Sequence, residues 1–191
     1  GLIERSFEAF KPPERLTVSE WAVRHRRLSP EGSAFTGRFR LEAAPYQQEP
    51  MEAVNDTDVQ SVVMMWASQT GKTEVINNVV GFFICEEPSP MLVLQPTLDM
   101  AETWSKDRLA PMVRDTAVLT ELVADAKARD SGNTVLHKRF TGGHITVAGA
   151  NSPASLSSRP IRVVLCDEVD RYPQSAGAEG DPISLAQKRS D

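Results

Sequence analysis

The sequence VQSVVMMWASQTGKTE (Val59–Glu74) gives the strongest indication of the fold. A nearly continuous apolar run, typical of a strand buried on both faces, precedes a polar turn and then Gly71, Lys72 and Thr73 at the start of a helical pattern. A phosphate-binding loop occurs in this order of strand, turn and helix. The usual pattern G-x-x-x-x-G-K-[ST], however, has a glycine where this chain has Trp66. A turn before a capped helix would explain the tripeptide as well, so a second motif is needed.

The three residues of the tripeptide have the chemistry that a nucleotide triphosphate requires. Gly71 lets the backbone approach the phosphates, and the N–H groups and dipole of the helix start favour negative charge there. Lys72 would place its ammonium against the β- and γ-phosphates, and the Thr73 hydroxyl would coordinate Mg²⁺. The stretch therefore predicts a site for a nucleotide with Mg²⁺.

A second strand, VVLC, runs directly into Asp167 and Glu168. A phosphate loop needs such a strand, because a carboxylate must reach the metal ion. Asp167 is predicted to hold Mg²⁺ directly or through water, and Glu168 to orient and polarise the attacking water. An acidic turn after a strand is common, but its combination with the Gly-Lys-Thr stretch is not.

Strand-like and helical segments alternate along the chain, which predicts an α/β fold with a mostly parallel central sheet flanked by helices. A capping box of Thr17 and Glu20 predicts the first helix. Predicted strands cover residues 59–66, 90–96 and 163–166, with a hairpin over 133–150. Predicted helices cover residues 18–28, 46–55, 71–87, 98 to a break near Pro111, and 116–125. We divide the chain into a helical and loop appendage, residues 1–45, and a nucleotide-binding domain, residues 46–191.

Composition excludes several classes of protein. The 191 residues suit one domain, and the net charge of −5 argues against a protein that coats nucleic acid generally. Cys85 and Cys166 lie in apolar runs and are predicted to be reduced core residues. The longest apolar run is too short for a membrane span, and the N-terminus has no signal-peptide pattern. The leading Gly1 and the last residues suggest a fragment of a longer protein.

The phrases PYQ, VVMMWASQTGKTE, MLVLQPT, SPASLSSRP and VVLCDEVDRYP together resemble the large terminase subunits of tailed bacteriophages, particularly the lambda-type branch. The resemblance spans about Arg38 to Pro173. In that family a loop without the first glycine is usual, which accounts for Trp66. The resemblance implies a P-loop ATPase of the additional-strand class that uses ATP and Mg²⁺ to pump double-stranded DNA into preformed capsids. It also implies a homo-oligomeric ring, a small terminase subunit and a portal protein as partners, the host cell cytoplasm as location, and a C-terminal nuclease half that does not follow here.

The same resemblance assigns roles to individual residues. It implies an adenine contact at Gln47, next to Tyr46, an aromatic that can stack on the base; residue chemistry alone favours a surface glutamine beside a half-buried tyrosine. It also implies that a neighbouring subunit supplies an arginine to the γ-phosphate, with Arg159 as the candidate and Arg162 as the weaker one. A surface or structural arginine explains this position equally well. The implied phosphate-binding residues are Ser68, Gln69, Thr70, Gly71, Lys72 and Thr73.

The sequence is also compatible with two other functions. A helicase-type translocase shares the loop and the acidic strand end, and a nucleotide-binding assembly module would be inactive in isolation. Two further motifs are better explained by structure than by function. Thr97 is predicted to cap a helix rather than to approach nucleic acid, and the basic run Arg24–Arg27 is predicted to be a solvated helix face rather than a phosphate contact.

Overall fold

A four-stranded mixed sheet forms the centre of the fold in the computed structural model, which describes residues 15–33, 35–123, 132–152, 161–177 and 180–188. Its strands are β3 (Met91–Gln95), β4 (His137–Phe140), β5 (Gly143–Gly149) and β6 (Val163–Cys166). They lie in the order β4-β5-β3-β6, with β3 parallel to both β5 and β6, and β4 antiparallel to β5. A small second sheet pairs β1 (Arg27–Leu28) with β2 (Gly37–Arg38) in antiparallel orientation. The predicted α/β class and the last strand are therefore confirmed.

Strand β3 is buried on both faces, as its unbroken apolar sequence predicts. Met91 and Val93 join the larger hydrophobic cluster on one face of the sheet. Leu92 and Leu94 join a smaller cluster on the other face, because successive side chains of a strand point to opposite sides. Since β3 and β6 are parallel, their carboxyl ends lie at the same edge of the sheet.

The hairpin of β4 and β5 is confirmed, with a shorter first strand than predicted. The turn consists of Thr141 and Gly142, and Gly142 has a φ of +86°. A Cβ at this position would also lie 2.7 Å from the Cβ of Pro88. Glycine is thus required here both by the left-handed backbone and by the close approach of Pro88.

Helix α3 (Lys72–Cys85) follows the loop and packs into the larger cluster, with ten of its 14 residues buried. Helix α1 (Val18–His25) packs against it, and the predicted capping box of Thr17 and Glu20 is present. Trp21 of α1 is fully buried. Helix α1 ends at His25 rather than at the predicted Leu28, because Arg26 has an extended backbone and the chain enters β1.

The helical segment after β3 does not break near Pro111, so that prediction is wrong. Helix α4 (Leu98–Trp104) continues through a π-helical turn (Ser105–Leu109) into α5 (Ala110–Asp115). Proline has no N–H and its ring meets the carbonyl four residues earlier, so the wider π turn before it lets the helix continue. The predicted cap of α4 is confirmed, because the Thr97 side chain accepts a hydrogen bond of 3.3 Å from Met100 N.

The remaining elements are short. Helix α2 (Gln48–Ala53) follows a 3₁₀ turn at Pro45–Gln47, is shorter than the predicted helix over residues 46–55, and has Pro50 within its first turn. The others are a 3₁₀ turn at Leu41–Ala43, helix α6 (Ala117–Leu122), a 3₁₀ turn at Val169–Arg171 and helix α7 (Pro182–Gln187).

The predicted buried strand over residues 59–66 is wrong. The segment has no regular secondary structure, and the side chains of Val63 and Met65 are 86% and 95% exposed. An apolar run becomes a buried strand only if a neighbouring strand satisfies its backbone groups, and no strand of the described sheet pairs with it. Met64 and Trp66 alone pack partly against the core.

Both cysteines are free, as predicted, but they are only partly buried. Burial raises the pKa of the Cys85 thiol and of the Cys166 thiol to about 11. Among the residues that the structure describes, none of the helices has the length and apolar character of a membrane span.

Candidate nucleotide-binding site

The predicted phosphate loop, Ser68–Thr73, consists of a tight turn at residues 68–71 followed by the first two residues of α3. Gln69 and Gly71 have φ angles of +59° and +85°, in the left-handed region. A residue with a side chain rarely adopts this conformation, and such residues concentrate at functional sites. Gly71 is the N-cap of α3, so the first N–H groups of the helix border the loop. This geometry suits an anion.

The Lys72 ammonium is held by carbonyl groups at the beginning of the turn. Its Nζ donates hydrogen bonds to Trp66 O at 2.9 Å and to Ala67 O at 3.2 Å. The charge therefore lies against the backbone that leads into the loop. At position 66 it is the carbonyl that contacts this lysine, whereas the Trp66 ring packs edge-on against Tyr46 with 5.2 Å between centroids.

The Thr73 hydroxyl and the Asp167 carboxylate are in contact. Thr73 Oγ1 donates to Asp167 Oδ2 at 3.1 Å, across 94 residues of sequence. Asp167 is 6% exposed and directly follows β6. The start of α3 and the end of β6 thus bring together the two side chains that the sequence predicted as metal ligands.

Gln95 is a residue of this site that the sequence analysis did not identify. It ends β3, is 3% exposed, and donates from Nε2 to Asp167 Oδ2 at 3.4 Å. The backbone N–H of Asp167 in turn donates to Leu94 O at 3.1 Å, which extends the ladder between the two strands. A polar residue at the end of an otherwise apolar strand was the signal that could have revealed it.

Glu168 has a left-handed backbone, with φ of +50° and ψ of +46°. Its Oε2 is 2.9 Å from Nη1 of Arg171, which lies three residues later and was not identified from sequence. The backbone N–H of Glu168 donates to Asp167 Oδ1 at 3.1 Å. The carboxylate predicted to polarise water therefore follows Asp167 directly but is paired with a guanidinium.

Tyr46 and Gln47 contact the loop backbone. The Tyr46 hydroxyl donates to Thr70 O at 3.0 Å, and Gln47 Nε2 donates to Gly71 O at 3.3 Å. Gln47 is 4% exposed, and its Oε1 has no hydrogen-bond partner among the described residues. It is therefore not the surface glutamine that residue chemistry alone favoured. Tyr46 is half exposed and borders an open groove of about 510 Å³, which Glu49 and Glu52 also line.

One of the two arginine candidates, Arg162, is not part of this cluster. Arg159 lies outside the described residues. Arg162 precedes β6, whereas Asp167 follows it, so the two residues are at opposite ends of the strand. The Arg162 guanidinium donates to Ser89 Oγ and Glu87 Oε2, each at 2.9 Å.

A cation at this site would take oxygen ligands. Within the described ranges, no three His, Cys, Asp or Glu side chains converge as a metal cage would require. Mg²⁺ does not need such a cage, because it is usually bound by one or two carboxylates together with phosphate oxygens and water. The Thr73 hydroxyl and the Asp167 carboxylate fit this ligand set, and the orphaned Gln47 Oε1 could accept a hydrogen bond from a base amino group.

Comparison with known proteins identifies the family. No curated protein matches the chain. The model of the phage terminase large subunit gpA ATPase domain matches residues 33–191, which is most of the chain. The chain therefore belongs to the phage terminase large subunit gpA family, within its ATPase domain, and has a role in the motor that packages phage DNA.

Proposed function

We propose that this domain binds Mg·ATP between the phosphate loop and the end of β6, hydrolyses it, and couples hydrolysis to the movement of double-stranded DNA into a capsid. The main support is the 3.1 Å contact between Thr73 Oγ1 and Asp167 Oδ2, since the helix after the loop and the acidic strand end meet there. The additional-strand class of P-loop fold is part of the proposal.

Different residues of the site bind the phosphates and the metal ion. Backbone N–H groups of Ser68–Thr73 hold the triphosphate, and the Lys72 ammonium leaves the carbonyls of Trp66 and Ala67 to neutralise the β- and γ-phosphates. Thr73 and Asp167 supply oxygen ligands to Mg²⁺, which when bound withdraws charge from the phosphate oxygens.

Gln47 has two functions in this proposal. Its amide N–H holds Gly71 O, and its free Oε1 accepts from the exocyclic amino group of adenine. The Tyr46 hydroxyl holds the Thr70 carbonyl, and one face of the Tyr46 ring stacks on the adenine base. The preference for ATP thus comes from the same two residues that shape the loop.

Hydrolysis requires Glu168 to leave Arg171 and to accept a proton from the attacking water. That water forms a new bond to the γ-phosphorus while the bond to the β–γ bridging oxygen breaks. A neighbouring subunit of a ring supplies an arginine to the γ-phosphate, for which Arg159 is the proposed residue. The isolated domain is therefore expected to turn over slowly.

The division of the chain into residues 1–45 and 46–191 is proposed from the sequence. The wider setting is proposed from the family: it comprises the host cytoplasm as location, the small terminase subunit and the portal as partners, and a nuclease in the full-length protein.

Two variants test the ATPase site. Lys72→Ala should abolish Mg·ATP-dependent phosphate release, and Glu168→Gln should keep nucleotide binding while stopping turnover. Lys106→Ala is the matched control, because this lysine is exposed and pairs with Glu102 one turn away. If Lys72→Ala and Glu168→Gln both hydrolyse ATP like the parent, the site is wrongly assigned.

Two assays separate this function from the alternatives. A packaging motor moves on duplex DNA without separating its strands, whereas a helicase-type translocase unwinds it. Turnover that appears only after ring assembly favours a motor with a trans arginine, and no turnover in either state favours an assembly module.

A further inference from the structure

Arg26 is buried, although it belongs to a basic run that was predicted to be a solvated helix face. It is 3% exposed and follows the last residue of α1. Its Nη2 is 3.1 Å from Glu74 Oε2, and its Nη1 donates to Arg27 O. Desolvation lowers the pKa of Arg26. A guanidinium is rarely buried in this way unless it is paired, so the partner is informative.

The partner, Glu74, lies in the first turn of α3, directly after Lys72 and Thr73. Its carboxylate is only 17% exposed and accepts a second hydrogen bond, at 3.3 Å, from Asn77 Nδ2 of the same helix. A carboxylate at a helix N-terminus is favourable for the helix itself. Beside a bound triphosphate, however, an unpaired negative charge would oppose binding.

The ion pair is largely shielded from water, since Arg26 is 3% and the Glu74 side chain 17% exposed. The cavity beside the pair has a volume of about 10 Å³, which is room for about one water molecule, and is lined by Arg26, Glu74, Asn77 and Asp107 among others. Removing Arg26 would therefore leave the Glu74 charge poorly solvated and uncompensated. Breaking a buried ion pair from one side has this consequence generally.

We propose that Arg26 is a positioning residue for the phosphate loop. It neutralises Glu74 in the first turn of α3, so that no unpaired negative charge lies beside Lys72 and Thr73 where the triphosphate binds. The inference rests on the proposed function and extends it to the segment before β1, since Arg26 itself need not contact ATP.

The test measures the Kd for the Mg²⁺ complex of a non-hydrolysable ATP analogue by calorimetry. Arg26→Gln should weaken binding about tenfold, because the Glu74 charge then repels the triphosphate. Glu74→Gln should bind within about threefold of the parent. The double variant Arg26→Gln/Glu74→Gln should bind more tightly than Arg26→Gln alone, because both charges are gone. Arg24→Gln is the matched control, because Arg24 is an exposed arginine two residues earlier.

A purely structural role predicts a different pattern. Both single variants would then lower the melting temperature while the Kd of the folded protein stayed at the parent value, and this result would overturn the inference. If Arg26→Gln does not fold, Arg26→Lys takes its place. Lysine keeps the charge but cannot hold both Glu74 and the Arg27 carbonyl through a planar fork, so it should compensate the Glu74 charge only in part. The Kd of Arg26→Lys should therefore rise about threefold and fall again when Glu74→Gln is added. A parental Kd for Arg26→Lys would overturn the inference.

Lys72→Ala separates this inference from the proposed function. If the parent binds the analogue and Lys72→Ala does not, the ATP site stands, and the Arg26 variants decide the positioning role alone. If the parent fails to bind the analogue, the proposed function and the inference fail together.

Discussion

Replacing Gly81 by alanine tests the packing of α1 on the helix that carries the phosphate loop. A Cβ at Gly81 would lie 2.0, 2.5 and 2.9 Å from three atoms of the six-membered ring of Trp21. Carbon atoms in contact are ordinarily about 3.5–4.0 Å apart. Because the ring is rigid and fully buried, it must move by about 1.5 Å in a close-packed core.

The expected cost follows from two opposing terms. Overpacking of a core costs about 1–3 kcal/mol, and a rigid ring places this case at the upper end. Alanine is better than glycine in a helix by about 1 kcal/mol. The net loss of unfolding free energy is therefore about 2 kcal/mol, or a fall in Tm of about 4–8 °C for a chain of this size.

Urea and thermal unfolding of four proteins give the measurement: the parent, Gly81→Ala, Trp21→Phe and the double variant. Phenylalanine leaves space where the outer ring of Trp21 was, so the alanine methyl group fills part of it. The double variant should be more stable than the sum of the single effects by about 1 kcal/mol or more. An unchanged or raised Tm for Gly81→Ala, or a cycle without coupling, would refute the reasoning.

Three further predictions concern the loop, the thiols and a helix cap. Gly71→Ala places a Cβ 2.3 Å from Gln47 Nε2 and should weaken Mg·ATP binding in calorimetry, whereas Gly37→Ala, also at positive φ but with no atom within 4 Å, should not. With thiol pKa values of about 11, the cysteines at positions 85 and 166 should react with a thiol reagent at pH 8 about a hundredfold more slowly than in urea. Folding favours their neutral form, so the stability that they contribute should fall as pH rises from the ordinary thiol pKa towards 11. Thr17→Ala removes the capping box of α1 and should lower the unfolding free energy by about 1 kcal/mol, measured in urea.

Local sequence signals predicted most of the elements correctly. The capping box at Thr17, the apolar run of β3 and the glycine turn before β5 each depend on contacts within a few residues or on one strongly buried strand. The predictions failed where packing between residues that are far apart in the sequence determines the secondary structure. The run over residues 59–66 has the composition of a buried strand but has no strand partner in the described sheet, and Pro111 is tolerated because a π turn precedes it.

The sequence by itself determined which chemical groups could bind a nucleotide, because glycine, lysine, threonine and aspartate have fixed chemistry and stood in recognisable local contexts. Tertiary structure alone decided which of them meet. Gln95 meets Asp167 because β3 and β6 are parallel and end at one sheet edge. Thr73 meets Asp167 because the start of α3 lies beside that edge, and Arg26 is buried because α1 ends beside the first turn of α3. Such contacts depend on how the helices and strands pack across many intervening residues, which periodicity and short motifs do not encode.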